Sequence, residues 1–129
     1  MQSLDKFSKQ KYLNLETFRR SGVGVKTPVW FVQEAGKLYV KTLANSGKVK
    51  RIRNNQQVNI VPSKVDGKPI GSWLSAVSGI VNDEILEQKV EQLYNKKYGL
   101  LKKFFFRSRP EKEVEYCIVE LKPAEDENR

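Results

Sequence analysis

Four cationic side chains crowd into six residues near the middle of the chain: Lys48, Lys50, Arg51 and Arg53. Asn45 and Ser46 just before them are favoured N-caps, so the sequence predicts a short helix that ends at about Asn54. On a helical wheel of about 100° per residue, Lys48 and Arg51 share one flank, and Lys50 and Arg53 share the other. Val49 and Ile52 lie between the flanks and are expected to anchor the helix.

The start of this helix has the chemistry of a phosphate site. Free backbone amides and the positive end of the helix dipole favour an anion there. Lys48 would meet a phosphate as a point charge and Arg51 as a planar fork, while Ser46 and Thr42 could add hydroxyl donors. The alternative is a solvated basic helix with an ordinary N-cap.

A second candidate segment is Thr27-Pro28-Val29-Trp30. Pro28 has no amide hydrogen, so its strand must lie at a sheet edge, at a bulge, or against something other than a neighbouring strand. Amides that no ladder uses can bind the polar edge of a heterocycle, and Trp30 could stack on its ring. The alternative places Trp30 in the core, and Trp73 has the same ambiguity.

Composition excludes several kinds of site. The 129 residues contain no histidine and one cysteine, Cys117, so the usual zinc ligand sets and the Ser-His-Asp and Cys-His catalytic units cannot be assembled. The formal net charge of +9 favours an anionic partner. The sequence has no membrane-spanning run and no signal peptide, so a cytoplasmic protein is expected.

Periodicity and turn residues predict one domain over residues 1–122 and a disordered tail over 123–129. The pattern gives a mainly β protein, a small antiparallel barrel or sandwich with helical additions. Six strands are expected: Tyr12–Phe18, Val25–Gln33, Lys37–Thr42, Gln57–Pro62, Gly71–Val81 and Val114–Leu121. A long helix before the last strand should begin at Asn82 or Asp83 and end with Gly99 at C′.

Three segments together resemble one family: Thr27-Pro28-Val29-Trp30, Leu38-Tyr39-Val40-Lys41-Thr42 and Ser46-Gly47-Lys48-Val49-Lys50-Arg51-Ile52-Arg53. This combination is similar to the split-barrel flavin and deazaflavin oxidoreductases related to pyridoxamine 5′-phosphate oxidase. The stretch from Asn95 to Phe104 resembles their subfamily that depends on coenzyme F-420. The resemblance implies a six-stranded antiparallel split β-barrel of the FMN-binding type.

The resemblance also implies a homodimer with coenzyme F-420 or FMN in a groove between subunits, and hydride transfer to or from a small-molecule substrate. By position, Lys48 and Arg51 would hold the cofactor phosphate, aided by Thr42 and Ser46, while the backbone of Thr27, Pro28, Val29 and Trp30 would lie along the ring system. No catalytic side chain is assigned; Tyr39, Lys41 and Trp73 are candidates to approach the ring.

Three other interpretations stay open. The first is the same fold with FMN rather than coenzyme F-420, and the second is a binding protein without turnover. The third is a nucleic-acid-binding barrel, suggested by the net charge and by Phe104–Phe106 beside basic residues. Against nucleic acid, the basic pairs lie on a capped helix and no nucleic-acid motif occurs, so it is not the expected partner.

Overall fold

A computed structural model of the chain describes residues 4–106 and 115–124, with side chains up to residue 99 and from residue 115. The strands are β1 (Tyr12–Phe18), β2 (Gly24–Val29), β3 (Val32–Glu34), β4 (Lys37–Leu43), β5 (Gln57–Ser63), β6 (Leu74–Ile80) and β7 (Tyr116–Pro123). The helices are α1 (Gly47–Asn54) and α2 (Glu84–Phe106), and a 3₁₀ turn precedes β1 at Asp5–Phe7.

The strands form one curled antiparallel sheet in the order β2-β1-β5-β6-β7-β4-β3. β2 and β3 are therefore the two edges, although they are consecutive in the chain. A tight turn joins β3 to β4, and both of its central residues, Ala35 and Gly36, have positive φ (53° and 79°). Such turns match the twist of a hairpin and favour glycine.

The expectation of six strands was wrong, because the segment Val25–Gln33 forms two strands rather than one. β2 ends at Val29 and β3 begins at Val32. Trp30 and Phe31 connect these two strands, and so link one edge of the sheet to the other. The described residues therefore contain seven strands, which form a half-barrel. The gap between its two edge strands, β2 and β3, is the split of the barrel, and Trp30-Phe31 crosses it.

Two apolar clusters lie on the two faces of the sheet. The barrel interior holds the alternate side chains of the strands, among them Leu13, Leu15, Leu38 and Val40, together with Ile52 of α1. A second cluster lies between the outer face and α2 and is built from Val32, Tyr39, Val81, Val90, Tyr94, Tyr98 and Ile118. The strand β1 shows the expected burial of Leu13, Leu15 and Thr17.

Two other expected boundaries moved. α2 begins as predicted, because the Asp83 carboxylate accepts the amides of Ile85 (3.0 Å) and Leu86 (3.2 Å). It does not stop at Gly99: Tyr98 has non-helical angles (φ −120°, ψ 15°), and the backbone resumes its helical course to Phe106. β6 begins at Leu74 rather than at Gly71, whose φ of 100° is unsuited to a strand.

Several expectations fall on residues outside the described part. The charged loop at 107–113 lies there, and so do the side chains of Phe104–Phe106 and residues 125–129 of the expected tail. β7 continues through Pro123, and the Ala124 amide still donates to the Ser75 carbonyl (3.0 Å). No helix within residues 4–106 and 115–124 is both long and apolar enough to cross a membrane.

Candidate functional site

The start of α1 is capped as the sequence predicts. Ser46 has extended angles, and its hydroxyl accepts the amide of Val49 (3.3 Å). The first backbone hydrogen bond of the helix joins the Lys50 amide to the Ser46 carbonyl (3.2 Å). The amides of Gly47 and Lys48 have no intrahelical carbonyl, as at every helix start, so they are available to an anion.

The division of the four cations into two pairs is confirmed by their exposure. Val49 and Ile52 are buried (0% and 1% exposed) and pack α1 onto β1 and β6. Lys50 and Arg53 are exposed, whereas Lys48 and Arg51 are partly buried. The second pair therefore lies against the barrel, where a ligand would be partly shielded from water.

Arg51 is held in a fixed orientation by two contacts. Its Nε donates to the hydroxyl of Thr17 on β1 at 2.6 Å, and Thr17 is fully buried. Its guanidinium then lies over Gly47, where a Cβ atom would come within 2.8 Å of Nη1. Gly47 thus leaves room for the guanidinium beside the free amides of the helix start, and both terminal nitrogens of Arg51 remain able to donate.

Lys48 shares this environment with Arg51. Burial lowers the pKa of its ammonium, and the positive charge of Arg51 lowers it further. Neither residue takes part in the two ion pairs found within the described residues. Two cations without a counter-ion, next to free amides, form a donor set suited to a phosphate.

The two hydroxyl residues predicted to assist occupy different places. Ser46 caps α1 and can still donate its hydroxyl hydrogen. Thr42 is 8% exposed and pairs with Cys117 of β7, on the strand face that also carries Val40. Thr17 was recognised from the sequence only as a buried strand residue; its bond to Arg51 spans 34 residues and leaves no local sequence signal.

The segment Thr27-Pro28-Val29 lies on an edge strand, as Pro28 indicated. Among the described residues β2 pairs only with β1, with Thr27 opposite Leu15 and Val29 opposite Leu13. Alternate residues of such a strand direct their amides and carbonyls away from the neighbour. Val25 of the same strand lies opposite Thr17, the partner of Arg51. The helix start and the exposed edge are thus connected through one strand pair.

The backbone at Trp30 and Phe31 is satisfied by α2. The Tyr94 hydroxyl donates to the Trp30 carbonyl (2.9 Å) and accepts the Lys41 amide (2.8 Å). The Tyr98 hydroxyl accepts the Phe31 amide (3.1 Å) and lies 2.9 Å from the Phe31 carbonyl oxygen. The strand pairing is interrupted near Pro28, as the sequence suggested. At Trp30 and Phe31, however, the freed backbone groups are bonded by side chains of α2.

The indole of Trp30 stacks on Tyr98, with ring centroids 4.3 Å apart and planes 2° apart. One face of the indole is therefore occupied within the chain. Burial raises the pKa of the Tyr98 phenol well above its ordinary value, so it stays protonated and can keep its donor role. Trp30 acts here as part of the seam between the sheet and α2.

The three side chains considered as approaching the ring have other contacts. Burial, followed by the charge of Glu120, raises the pKa of Tyr39 to about 12, and its hydroxyl bonds to that carboxylate (3.2 Å). Lys41 pairs with Glu91 at 2.8 Å. Trp73 is partly buried, with the Lys26 ammonium 5.3 Å from its ring centroid.

Metal-binding chemistry finds no support in the part of the chain that the structure describes, where no group of three or more His, Cys, Asp or Glu side chains could hold an ion. Cys117 is a partly buried free thiol, and burial raises its pKa. The candidate site thus consists of cations, hydroxyls and free backbone groups, which bind and orient a ligand rather than attack it.

Comparison with known proteins gives a match at the level of the fold. No protein-family model matches the chain, and no curated protein matches it. Among solved structures, a candidate pyridoxamine 5′-phosphate oxidase from Listeria innocua aligns with a TM-score of 0.66 and 12% identity, over 95% of this chain and 90% of that one.

Two further structures show the same architecture. HutZ, a heme storage protein from Vibrio cholerae, aligns with a TM-score of 0.69 and 18% identity, over 95% of this chain and 87% of its own. An F420 reductase aligns with a TM-score of 0.62 and 18% identity, over 97% and 95%. The chain therefore has the split-barrel fold of the pyridoxamine 5′-phosphate oxidase-like proteins.

Proposed function

We propose that this protein is an oxidoreductase that binds coenzyme F-420 and transfers hydride between that deazaflavin and a small-molecule substrate. FMN in the same site is the alternative cofactor. The phosphate would be bound by Lys48, Arg51 and the first amides of α1, with the hydroxyls of Ser46 and Thr42 nearby. The ring system would lie along the backbone of Thr27, Pro28 and Val29.

The observation that carries this proposal is the orientation of Arg51. A solvated basic helix has no need to fix an arginine, yet Thr17 holds Nε and the missing side chain of Gly47 admits the guanidinium beside the helix start. Ordering the fork in advance reduces the entropy lost when it binds an anion. The residues present therefore fit a phosphate group.

The edge strand β2 supplies the other half of the proposed cofactor site. Val25 and Val29 of β2 are separated by four residues, or roughly 13 Å of extended chain. A ligand that reaches from the helix start to Val29 must therefore be elongated, with the phosphate at one end. A flavin or deazaflavin linked through a polyol to its phosphate has this form, whereas a compact phosphate ester does not.

Bound flavins and deazaflavins supply the hydride chemistry themselves, so the protein has to bind, orient and shield the ring. The described residues suit that division of labour. The raised pKa of Tyr39 makes its phenol a poor proton donor near neutral pH, and the Lys41 ammonium is paired with Glu91. We assign no catalytic side chain.

The net charge supports coenzyme F-420 over FMN. That cofactor carries an acidic polyglutamate tail besides its phosphate, and the chain has a formal charge of +9. Haem, as in the storage protein of similar fold, is not proposed, because the chain lacks histidine, a common haem ligand. A cofactor-binding protein without turnover remains the second candidate function.

We further propose a homodimer with the cofactor between the two copies. The free edge of β2 is the support, because a ligand on an open strand edge gains shielding from a second subunit. Sedimentation of the protein with and without cofactor tests this. A monomer at cofactor saturation would contradict the dimer without touching the phosphate site.

The test is a pair of titrations with FMN and with coenzyme F-420, followed by ring absorbance or fluorescence. We expect micromolar or tighter binding of the deazaflavin, while exclusive binding of FMN would select the alternative and binding of neither would reject the proposal. If the protein with bound cofactor then reduces a small-molecule substrate, it is an enzyme rather than a cofactor-binding protein without turnover.

Matched lysine variants locate the phosphate. Lys48→Met removes the partly buried ammonium, and Lys50→Met removes an exposed one from the same helix. Loss of a charge-assisted contact costs about 1.5–3 kcal/mol, so Lys48→Met should weaken binding by roughly 10- to 150-fold. Lys50→Met should change it less than about threefold. Equal effects would indicate a diffuse basic surface rather than a defined site.

A further inference from the structure

An open cavity of about 410 Å³ lies away from the start of α1, between the N-terminal turn, β3 and α2. This volume is in the range of small-molecule sites, which run from about 300 to 1,000 Å³. Its apolar lining is Phe7, Phe31, Val32 and Leu93, of which the first three are at most 2% exposed. The rings of Phe7 and Phe31 meet edge to face at 5.9 Å.

The polar part of the lining is cationic. Lys9, Lys96 and Lys97 all border the cavity, together with Ser8 and Gln33, and no carboxylate of the described residues does. Neither of the ion pairs found in residues 4–106 and 115–124 involves these three lysines. The cavity therefore combines an apolar lining with an uncompensated positive charge at its border.

Lys97 is the lysine whose position is fixed. Its ammonium donates to the Phe31 carbonyl (2.9 Å) and lies 3.7 Å from the centroid of the Phe31 ring. An ammonium has three donors, and the described residues provide an acceptor for one of them. Two donors thus remain at a partly buried position, where lost solvation is costly unless an acceptor replaces it.

We infer that this cavity binds a small carboxylate with an apolar body, such as a medium-chain or aromatic acid, whose carboxylate accepts hydrogen bonds from Lys97. The acyl chain or ring would lie against Leu93, next to the buried rings of Phe7 and Phe31. Lys9 and Lys96 would add attraction from the rim. This inference does not depend on the function proposed for the start of α1.

The chemistry of the cavity differs from that of the first site. The first site offers a guanidinium fork and free helix amides, which suit a strongly hydrated phosphate. This cavity has no arginine and no helix start among its lining, and four of its lining residues are apolar. An anion with little polar surface beyond one carboxylate matches that combination.

The affinity should also depend on pH in a characteristic way. Burial lowers the pKa of Lys97 to about 8. The other titratable groups that face it are Lys9, Lys96 and the phenol of Tyr98. A carboxylate favours the charged ammonium, so binding should weaken above about pH 8, by up to about tenfold per pH unit.

The probe is octanoate, titrated below its micelle concentration into the full chain and followed by amide chemical shifts. Octan-1-ol and octylammonium serve as neutral and cationic controls of the same length. We expect octanoate to shift the amides of Val32, Gln33 and Leu93 and to bind at least about tenfold more tightly than octanol, as a charged hydrogen bond implies. Lys97→Met should abolish that difference, while Lys89→Met, exposed on the same helix, should preserve it.

Several outcomes would overturn the inference. These are equal affinity for octanoate and octanol, shifts confined to Gly47 and Lys48 at the start of α1, or affinity that does not change between pH 7 and pH 9.5. The pH profile uses the unmodified protein, so it decides the matter even if Lys97→Met does not fold.

Discussion

The hydroxyl of Tyr98 stabilises the connection between the two edge strands, and removal of this hydroxyl tests that role. The hydroxyl accepts the Phe31 amide at 3.1 Å, and its hydrogen is within reach of the carbonyls of Lys11 (2.7 Å) and Phe31 (2.9 Å). It thus joins α2 to the N-terminal segment and to the link between the two edge strands. Tyr98 itself is 1% exposed.

Tyr98→Phe removes this oxygen and keeps the ring that stacks on Trp30. The Phe31 amide, in a residue 1% exposed, then loses its acceptor at a site that water does not reach. A buried donor left without a partner costs about 1–3 kcal/mol, in contrast to the smaller net value of an average hydrogen bond. For a domain of this size, the expected fall in Tm is roughly 3–5 °C per kcal/mol.

The assay is equilibrium unfolding in urea, compared at constant m-value, because a changed slope would mean a changed denatured or native state. Tyr116→Phe is the matched control: Tyr116 is 40% exposed, and no hydrogen bond of its hydroxyl occurs within the described residues. We expect Tyr116→Phe to stay within about 0.5 kcal/mol of the parent. A loss below about 0.5 kcal/mol for Tyr98→Phe would refute the assignment.

The remaining predictions concern the first site and the response to pH. Gly47→Ala should weaken cofactor binding because its Cβ displaces the guanidinium of Arg51, while urea unfolding shows equal or greater stability, since alanine is the better helix former. Thr17→Val should lower cofactor affinity severalfold in the same titration, because it removes the acceptor for Arg51 Nε. Stability should rise from about pH 8 to 9.5, because the lowered pKa of Lys97 means that the unfolded chain holds a proton that the folded chain has released; Lys97→Met should reduce this rise in urea unfolding. Between about pH 10 and 12 stability should fall, because the folded state keeps the Tyr39 proton that the unfolded state loses, and Tyr39→Phe should reduce that fall.

Local rules were sufficient where the structure is decided by neighbours in sequence. The wheel placed Val49 and Ile52 inside and divided the cations correctly, because a helix face is set by a fixed rotation per residue. β1 matches its expected bounds, Tyr12–Phe18. These features need no knowledge of the rest of the fold.

Rules based on neighbouring residues gave wrong element boundaries where contacts between residues far apart in sequence determine the structure. Val25–Gln33 has the apolar composition of one strand, and Pro28 indicates an interruption without placing it at Trp30 and Phe31. The break is fixed by the hydroxyls of Tyr94 and Tyr98, which lie 64 and 67 residues away from the groups they bind. Tyr98 also lies where the sequence predicts the end of α2: its non-helical angles interrupt the helix, and the helical course then resumes as far as Phe106.

The two ends of the candidate site are therefore positioned by separate contacts. At the end proposed for the phosphate, Gly47 and Thr17 set the orientation of Arg51, and Thr17 lies opposite Val25 of β2. At the other end, Tyr94 and Tyr98 fix the residues that directly follow Val29. Because the two sets share no side chain, losses of cofactor affinity caused at the two ends should add. A fixed strand between two anchored ends is a good template for an elongated ligand, since neither end must be ordered when the ligand arrives.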